Sequence, residues 1–147
     1  MIPVKGYKDY FVGVLGLGRT GIATVKALQN GGAHPISWDD QPTVRKRAEE
    51  CGIELSDLNE DVFLNKISVL IVSPGIPHLY PEPHPIVAKA LRKGIAIDND
   101  ISLFFRSFAQ ESWSHFQKIP KVICVTGSNG KSTTTALLEH ILLENGV

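Results

Sequence analysis

The feature that most constrains the fold of this chain is a glycine-rich turn at residues 16–21, with the sequence GLGRTG. It follows an apolar run at 10–15 that is typical of a buried parallel strand, and it opens a helical pattern that stops at Gly31. Glycines at this spacing make the turn sharp and let the helix pack closely on the strand. Because a second strand-like run follows at 33–38, residues 10–40 are predicted to form a βαβ unit.

The alternation of strand and helix patterns continues along the chain. Two further short, β-branched apolar runs, 68–72 and 95–97, are predicted to be strands. Helices are predicted at 43–51, 59–65, 85–92 and 101–108, the last of them capped by Asp100. We therefore predict an α/β, Rossmann-like domain with a parallel sheet at residues 1–118, ending in a linker at 109–118.

The composition is that of an ordinary globular protein, with 43% hydrophobic and 20% charged residues in a chain of 147. The 15 basic and 15 acidic side chains balance, and no apolar stretch reaches the roughly 20 residues of a membrane span. We therefore expect no nucleic-acid partner and no membrane association. Cys51 and Cys124, the latter in a predicted buried strand, lack metal-ligand spacing, which favours reduced thiols and a cytoplasmic location. The histidines, among them His34, His78, His84 and His140, lack ligand-spaced partners and are interpreted as structural.

Three loops are expected to meet at one edge of the predicted sheet. They are residues 16–21, 39–41 and 73–75, and each follows a predicted strand. The carboxyl ends of parallel strands share an edge, and ligands of such sheets bind there. Asp39 follows the glycine turn at roughly the 20-residue distance at which a Rossmann-type site places a carboxylate against a ribose hydroxyl. The loops therefore predict a nucleotide-binding cleft, although a stiff turn alone would also explain 73–75.

A second glycine-rich turn lies at residues 126–132, with the sequence TGSNGKS. It follows an apolar run at 122–125, predicted to be a strand, and opens a predicted helix at 133–145. Such a turn presents backbone N–H groups and a helix N-terminus to phosphates, while Lys131 can reach terminal phosphates and Ser132 can ligate Mg²⁺. The turn has the compact G-x-x-G-K-S form and predicts a nucleoside triphosphate site.

Together these motifs resemble the amino-terminal part of the Mur ligase family, most closely its D-glutamate-adding members. The resemblance rests on the turns at 16–21 and 126–134, on SPGIP at 73–77 and on DISLF at 100–104, whose order and spacing match over the whole chain. The chain departs from the family pattern at Gln41, Asn99, Ser102 and Ser128, where relatives commonly carry Arg, Gly, Glu and Thr.

The resemblance implies an ATP-dependent amide ligase of peptidoglycan synthesis, with Mg²⁺ as the metal. ATP would phosphorylate the carboxylate of UDP-N-acetylmuramoyl-L-alanine, and the amine of D-glutamate would attack the acyl phosphate. By position, the uridine diphosphate group would contact Gly18, Arg19, Thr20, Asp39, Asp40, Gln41, Ser73, Pro74 and Gly75. The ATP phosphates would contact Gly127, Asn129, Gly130, Lys131, Ser132 and Thr133, with Lys131 catalytic and Ser132 a metal ligand.

The resemblance also implies that residues 119–147 are the first strand, P-loop and helix of a truncated P-loop ATPase domain. We expect the chain to be an inactive fragment, because family members continue into the rest of that domain and a third one. The apolar positions of the last helix form one stripe, made of Leu137, Leu138, Ile141 and Leu142. We expect residues 119–147 either to be poorly ordered or to mediate a homodimer, with the dimer slightly favoured.

Two other classes of function fit part of the sequence. An NAD-dependent oxidoreductase would use the turn at 16–21 and Asp39, but it leaves the turn at 126–132 unexplained. A non-catalytic nucleotide-binding module is compatible with both turns. A nicotinamide titration would test the first alternative, whereas only downstream sequence would exclude the second.

Overall fold

The computed structural model describes residues 2–110 and 121–146. The chain divides into two compact units, Met1–Glu111 and Ser112–Val147. The predicted linker at 109–118 falls almost entirely outside the described residues, and the predicted domain boundary at residue 118 stays a prediction.

The first unit contains the predicted parallel sheet. Its strands are β1 (Phe11–Leu15), β2 (His34–Trp38), β3 (Val69–Val72) and β4 (Ala96–Asp98), in the spatial order β2-β1-β3-β4. The three neighbouring pairs are all parallel. The helices are α1 (Arg19–Asn30), α2 (Pro42–Glu50), α3 (Asp61–Leu64), α4 (Pro85–Arg92) and α5 (Asp100–Ala109). The predicted α/β fold with a parallel sheet is therefore confirmed.

Helices cover both faces of the sheet, which explains why its central strands are apolar along their whole length. On one face, β1 and β3 pack with α1, α2 and α5 through buried side chains that include Val25, Leu28 and Leu103. On the other face the sheet packs with α3 and α4, whose contributions include Leu64 and Ile86. With both faces closed, the ends of the strands are the part of the sheet at which a ligand can bind.

The cap of α5 differs from the prediction. Asn99 is the N-cap: its backbone is extended, with φ −136° and ψ 167°, and its Oδ1 accepts a hydrogen bond from the Ser102 N–H at 2.9 Å. Asp100 is instead the first helical residue, where its negative charge is favourable beside the partly positive helix start. The prediction was wrong by one residue because Asn and Asp are equally good caps and only the backbone angles separate them.

The second unit contains helix α6 (Lys131–Glu144), which confirms the helix predicted at 133–145. The strand predicted at 122–125 is wrong, because residues 121–127 have no regular structure and Cys124 is exposed rather than buried. A parallel strand needs a neighbouring strand to satisfy its N–H and C=O groups. None of the described residues of this unit forms such a neighbour.

Helix α6 keeps much of its apolar surface exposed. Leu137 and Ile141 are 58% and 47% exposed. Leu138 and Leu142 are half-buried and line a shallow groove together with Ile123. The predicted apolar stripe is therefore only partly covered within its own unit, and the homodimer stays a prediction. No helix among the described residues combines the length and the hydropathy of a membrane span.

Candidate nucleotide-binding cleft

The register of the sheet sets three loops side by side. Leu15, the last residue of β1, pairs with Trp38 of β2 and with Val72 of β3. The loops after these strands therefore begin at the same level. Two backbone bonds continue the ladder, since the Gly16 N–H donates to Trp38 O at 2.8 Å and the Ser73 N–H donates to Leu15 O at 3.0 Å.

The three glycines of the turn after β1 serve the purposes that the motif predicts. Gly16 has a φ of +92°, a left-handed conformation that favours glycine. A Cβ on Gly21 would lie 1.9 Å from the carbonyl oxygen of Gly16, so a larger residue would push α1 off the strand end. Gly18 faces open space and is the N-cap of α1 without a side-chain cap. The start of α1 can therefore receive an anion from the cleft.

Asp39 joins the loop after β2 to the glycine turn. Its Oδ2 accepts a hydrogen bond from the Leu17 N–H at 2.8 Å, and its Oδ1 accepts one from the Gln41 N–H at 2.9 Å. Both carboxylate oxygens thus already hold backbone groups, and each retains a further lone pair for a ligand. Asp39 is therefore a structural link between two loops, and its contact with a ribose stays a prediction.

Arg45 of α2 holds the same loop from the other side, a role that the sequence analysis missed. Its Nη1 donates to the carbonyl oxygens of Asp39 at 2.7 Å and Asp40 at 2.9 Å. Its guanidinium lies 4.5 Å from the centre of the Trp38 ring, a distance typical of a cation–π contact. Arg45 thus bonds two carbonyl groups of the loop, and no local pattern in the sequence marks it for this role.

Ser73 joins the third loop to the glycine turn. Its Oγ donates to the carbonyl oxygen of Gly16 at 2.9 Å. A Cβ on Gly16 would lie 2.7 Å from the Cβ of Ser73, so the two loops approach as closely as backbone allows. The stiff loop at 73–75 is thus both a packing element and a wall of the cleft.

These loops line one cleft of about 590 Å³. All the residues predicted to contact the uridine diphosphate group lie in its lining, namely Gly18, Arg19, Thr20, Asp39, Asp40, Gln41, Ser73, Pro74 and Gly75. The lining also includes His84, which the sequence analysis interpreted as structural. Its ring lies beside the Asp40 carboxylate although the two residues are 44 positions apart, a separation at which sequence offers no signal.

A second cavity of about 680 Å³ shares Ser73 and Pro74 with the cleft. Its other walls include apolar Leu79, Leu91 and Ile101. No sequence pattern predicts this cavity, because its walls come from segments without a recognisable motif. A ligand held in the cleft has room to continue along this edge of the sheet.

The residues predicted to contact ATP lie together in the second unit. Lys131, Ser132 and Thr133 form the first turn of α6, and Gly130, with a φ of +77°, is its N-cap. The Lys131 ammonium donates to the carbonyl oxygens of Gly127 and Ser128, and so folds back over its own turn.

The chain is similar to known proteins in both sequence and fold. The family described as Mur ligase MurD-like, N-terminal domain, matches residues 10–99. The UDP-N-acetylmuramoylalanine--D-glutamate ligase of one Cereibacter sphaeroides strain is 56% identical over 146 residues, which cover 99% of this chain and 31% of that relative. The enzyme of the same name from Ruegeria pomeroyi is 56% identical over 146 residues, with the same coverage of 99% and 31%. The one from Jannaschia sp. is 48% identical over 141 residues, covering 96% of this chain and 30% of the relative.

Among solved structures, shikimate dehydrogenase from Aquifex aeolicus has a TM-score of 0.50 at 19% identity, over 71% of this chain and 46% of that one. This likeness shows a shared Rossmann-like fold and nothing further. The chain spans about a third of the length of the curated relatives, 31% in the first comparison.

The matched residues 10–99 contain β1, β2, β3 and β4 in full, together with the three loops that line the cleft. A match of this extent covers every part of the sheet and of the candidate site. On this basis the chain is a member of the Mur ligase family and carries its MurD-like N-terminal domain.

Proposed function

We propose that this chain holds the UDP end of UDP-N-acetylmuramoyl-L-alanine in an ATP-dependent ligase that joins D-glutamate to it during peptidoglycan synthesis. The observation that carries the proposal is the single cleft lined by every residue that the family resemblance assigns to the uridine diphosphate group. Relatives that are 56% identical carry the same substrate and acceptor in their names. Since ATP and UDP-linked precursors are cytoplasmic compounds, we place the reaction in the cytoplasm.

The cleft offers different chemistry to the two parts of the UDP group. The start of α1, where Gly18 leaves the N-cap without a side chain, would hold the diphosphate, because free backbone N–H groups and the helix dipole favour anions. The loop at 39–41 would face the uridine. Because Arg45 and the Asp39 carboxylate already hold this loop, little entropy is lost in ordering it around a ligand.

The donor set at the start of α6 fits a nucleoside triphosphate and Mg²⁺. Gly130 is an N-cap with open space around its Cα, and no side chain caps the helix. Ser132 supplies a hydroxyl oxygen, a ligand type that Mg²⁺ accepts, and Lys131 supplies a cation on the same turn. Lys131 would exchange its bonds to the turn carbonyls for bonds to phosphate oxygens. Bound ATP would supply the phosphoryl group that turns the alanine carboxylate into an acyl donor.

The D-glutamate site and the remaining metal ligands are proposed to lie in the part of the relatives' length that this chain does not match. Residues 119–147 would then form the beginning of the ATP-binding domain. We accordingly expect the 147-residue chain to bind the UDP substrate without ligase activity of its own.

Calorimetry on the 147-residue chain tests the nucleotide half of the proposal. UMP and UDP-sugars are expected to bind more tightly than NAD, which is the relevant competitor because the fold is shared with a dehydrogenase. If the chain binds NAD and shows no heat of binding with UMP or UDP-sugars, the proposal is wrong.

Lys131→Ala tests the ATP half in a ligase of the relatives' full length. ADP formation is expected to be abolished, while UMP binding stays nearly unchanged, because Lys131 and the cleft belong to different compact units. Asp39→Ala is the reciprocal control, since it should weaken UMP binding and leave ATP binding intact. Near-normal turnover of the Lys131 variant would refute the phosphate role.

A further inference from the structure

His84, which is part of the cleft lining, contacts both the loop after β2 and the start of α4. Its Nε2 lies 2.7 Å from the Oδ2 of Asp40, in the loop after β2. Its Nδ1 accepts a hydrogen bond from the Ile86 N–H at 3.3 Å and so caps α4. The His84 side chain is 16% exposed, whereas that of Asp40 is 56% exposed, so the histidine is the more buried of the two.

The two ring contacts define where the proton of a neutral His84 lies. Because Nδ1 accepts a backbone N–H, it carries no hydrogen in this arrangement. The ring proton is therefore on Nε2, which donates to the Asp40 carboxylate. The ring of His84 thus hydrogen-bonds the start of α4 through one nitrogen and the Asp40 carboxylate through the other.

The main chain of His84 also makes two hydrogen bonds. Its N–H donates to the carbonyl oxygen of Pro77 at 2.9 Å, and its carbonyl oxygen accepts from the Ala88 N–H at 2.9 Å. Pro85, at the first helical position, confines the preceding residue to extended backbone. His84 is consequently the point at which the exposed segment after Pro77 returns to the cleft.

Asp40 is held on its other side by the strand that precedes it. Its Oδ1 accepts a hydrogen bond from the Trp38 Nε1–H at 3.1 Å. The carboxylate is therefore shared between the end of β2 and the start of α4. A chain of hydrogen bonds therefore runs from Trp38 through Asp40 to His84, and the last two of these residues line the cleft.

We propose that His84 is a positioning residue that, through its bond to Asp40, holds the loop at 39–41 and the segment at 73–84 at the separation that the nucleotide requires. This inference rests on the proposed function and deepens it. The physical cause is that two loops joined across a cleft cannot move apart independently, so the bound ligand is both ordered and retained.

His84→Asn separates the two functions of the ring. Asparagine is among the best N-caps, so the bond to the Ile86 N–H is kept, but its side chain is too short to reach Asp40. The melting temperature is expected to stay near that of the wild type, whereas the Kd for UMP rises about fivefold to tenfold, with faster dissociation. This is less than for a lost direct contact, because His84 acts on the ligand through Asp40.

A double-mutant cycle with Asp40→Ala shows whether the two side chains act as one unit. Asp40→Ala leaves the cap of α4 in place and removes the partner of His84. If His84 acts only through its hydrogen bond to Asp40, the variant with both substitutions binds UMP with about the same Kd as whichever single variant binds UMP more weakly. If the two substitutions raise the Kd for UMP by factors that multiply in the double variant, the inference is overturned. A His84→Asn variant that binds UMP like the wild type would overturn it as well.

Nitrogen NMR of the His84 ring shows which ring nitrogen carries the proton, and a change in stability alone would not alter this signal. The wild-type ring is expected to carry its proton on Nε2, and that signal should shift in Asp40→Ala. A proton on Nδ1 would contradict the arrangement. A wild-type chain that fails to bind UMP would overturn the proposed function and this inference together, whereas UMP binding that is indifferent to His84 would overturn this inference alone.

Discussion

At the residue scale, Asp39 shows how one carboxylate can serve both the fold and the site. It accepts backbone N–H groups from Leu17 and Gln41, and so joins two loops that are expected to hold different parts of the same ligand. Such bonds are stronger than those between neutral groups because the carboxylate carries a full negative charge. Without Asp39 the N–H of Leu17, a fully buried residue, would also lose its partner.

Asp39→Ala should therefore weaken UMP binding by about tenfold or more, since a hydrogen bond to a charged group is worth about 1.5–3 kcal/mol. Calorimetry measures the affinity, and thermal unfolding should show a lowered melting temperature as well. Asp39→Asn is the matched variant: it keeps one carbonyl oxygen and is expected to fall between the wild type and the alanine variant. Unchanged UMP affinity in Asp39→Ala would contradict the role of this residue.

Gly21 and Gly18 form a matched pair for testing the glycine turn. Gly21→Ala puts a Cβ 1.9 Å from the carbonyl oxygen of Gly16 and is expected to cost about 1–3 kcal/mol of folding free energy or more. Gly18→Ala meets no atom within 4 Å and should leave the melting temperature nearly unchanged. The Gly18 variant is nonetheless expected to bind UMP more weakly, because its new methyl group faces the cleft. Equal stability of the two variants in urea unfolding would count against this description of the turn.

At the element scale, an ion-pair group holds the short helix α3 against α4. The Asp61 Oδ1 lies 3.1 Å from the Lys93 Nζ and 3.2 Å from the Lys89 Nζ. Hydrogen bonds from Lys93 and then Lys89 lower the pKa of the Asp61 carboxyl below its ordinary value of 3.8. Asp61 is exposed, so its contribution to stability is small and sensitive to salt.

The sign of the pKa shift determines how this contribution depends on pH. A carboxyl with a lowered folded-state pKa stabilises the fold above its unfolded value of 3.8, and the stabilisation is lost as the pH falls through the folded-state value. Asp61→Asn should therefore unfold at slightly lower urea concentration than the wild type near neutral pH. The difference should vanish under acidic conditions below both pKa values. A difference that grows on acidification would show that the assigned cause is wrong.

At the scale of the whole molecule, the exposed apolar side chains of the second unit are the reason to expect association between chains. Leu137, Leu143 and Ile123 are 58%, 65% and 60% exposed, and burying such side chains is worth about 1.5–3 kcal/mol each. We expect the 147-residue chain to form dimers, and a chain that ends near residue 118 to stay monomeric, as measured by light scattering. If both chains are monomeric and the amides of α6 exchange slowly, the helix is stable without a partner chain and the predicted dimer is wrong.

The sequence by itself determined the elements of the first unit and the meeting of its loops. Short, β-branched apolar runs predict interior strands because such strands are covered on both faces, and Pro85 and Gly94 mark the two ends of α4. Parallel strands place their carboxyl ends on one edge, so the loops at 16–21, 39–41 and 73–75 had to converge. These are consequences of chain geometry and local pattern.

Only the tertiary structure decided which polar groups bond to one another. The bond between His84 and Asp40 spans 44 positions, and the contacts of Arg45 depend on the direction in which α2 leaves its strand. The strand predicted at 122–125 did not form for a related reason. Strand propensity is realised only where a neighbouring strand bonds the backbone, and the presence of that neighbour is a property of the assembled fold rather than of the local sequence.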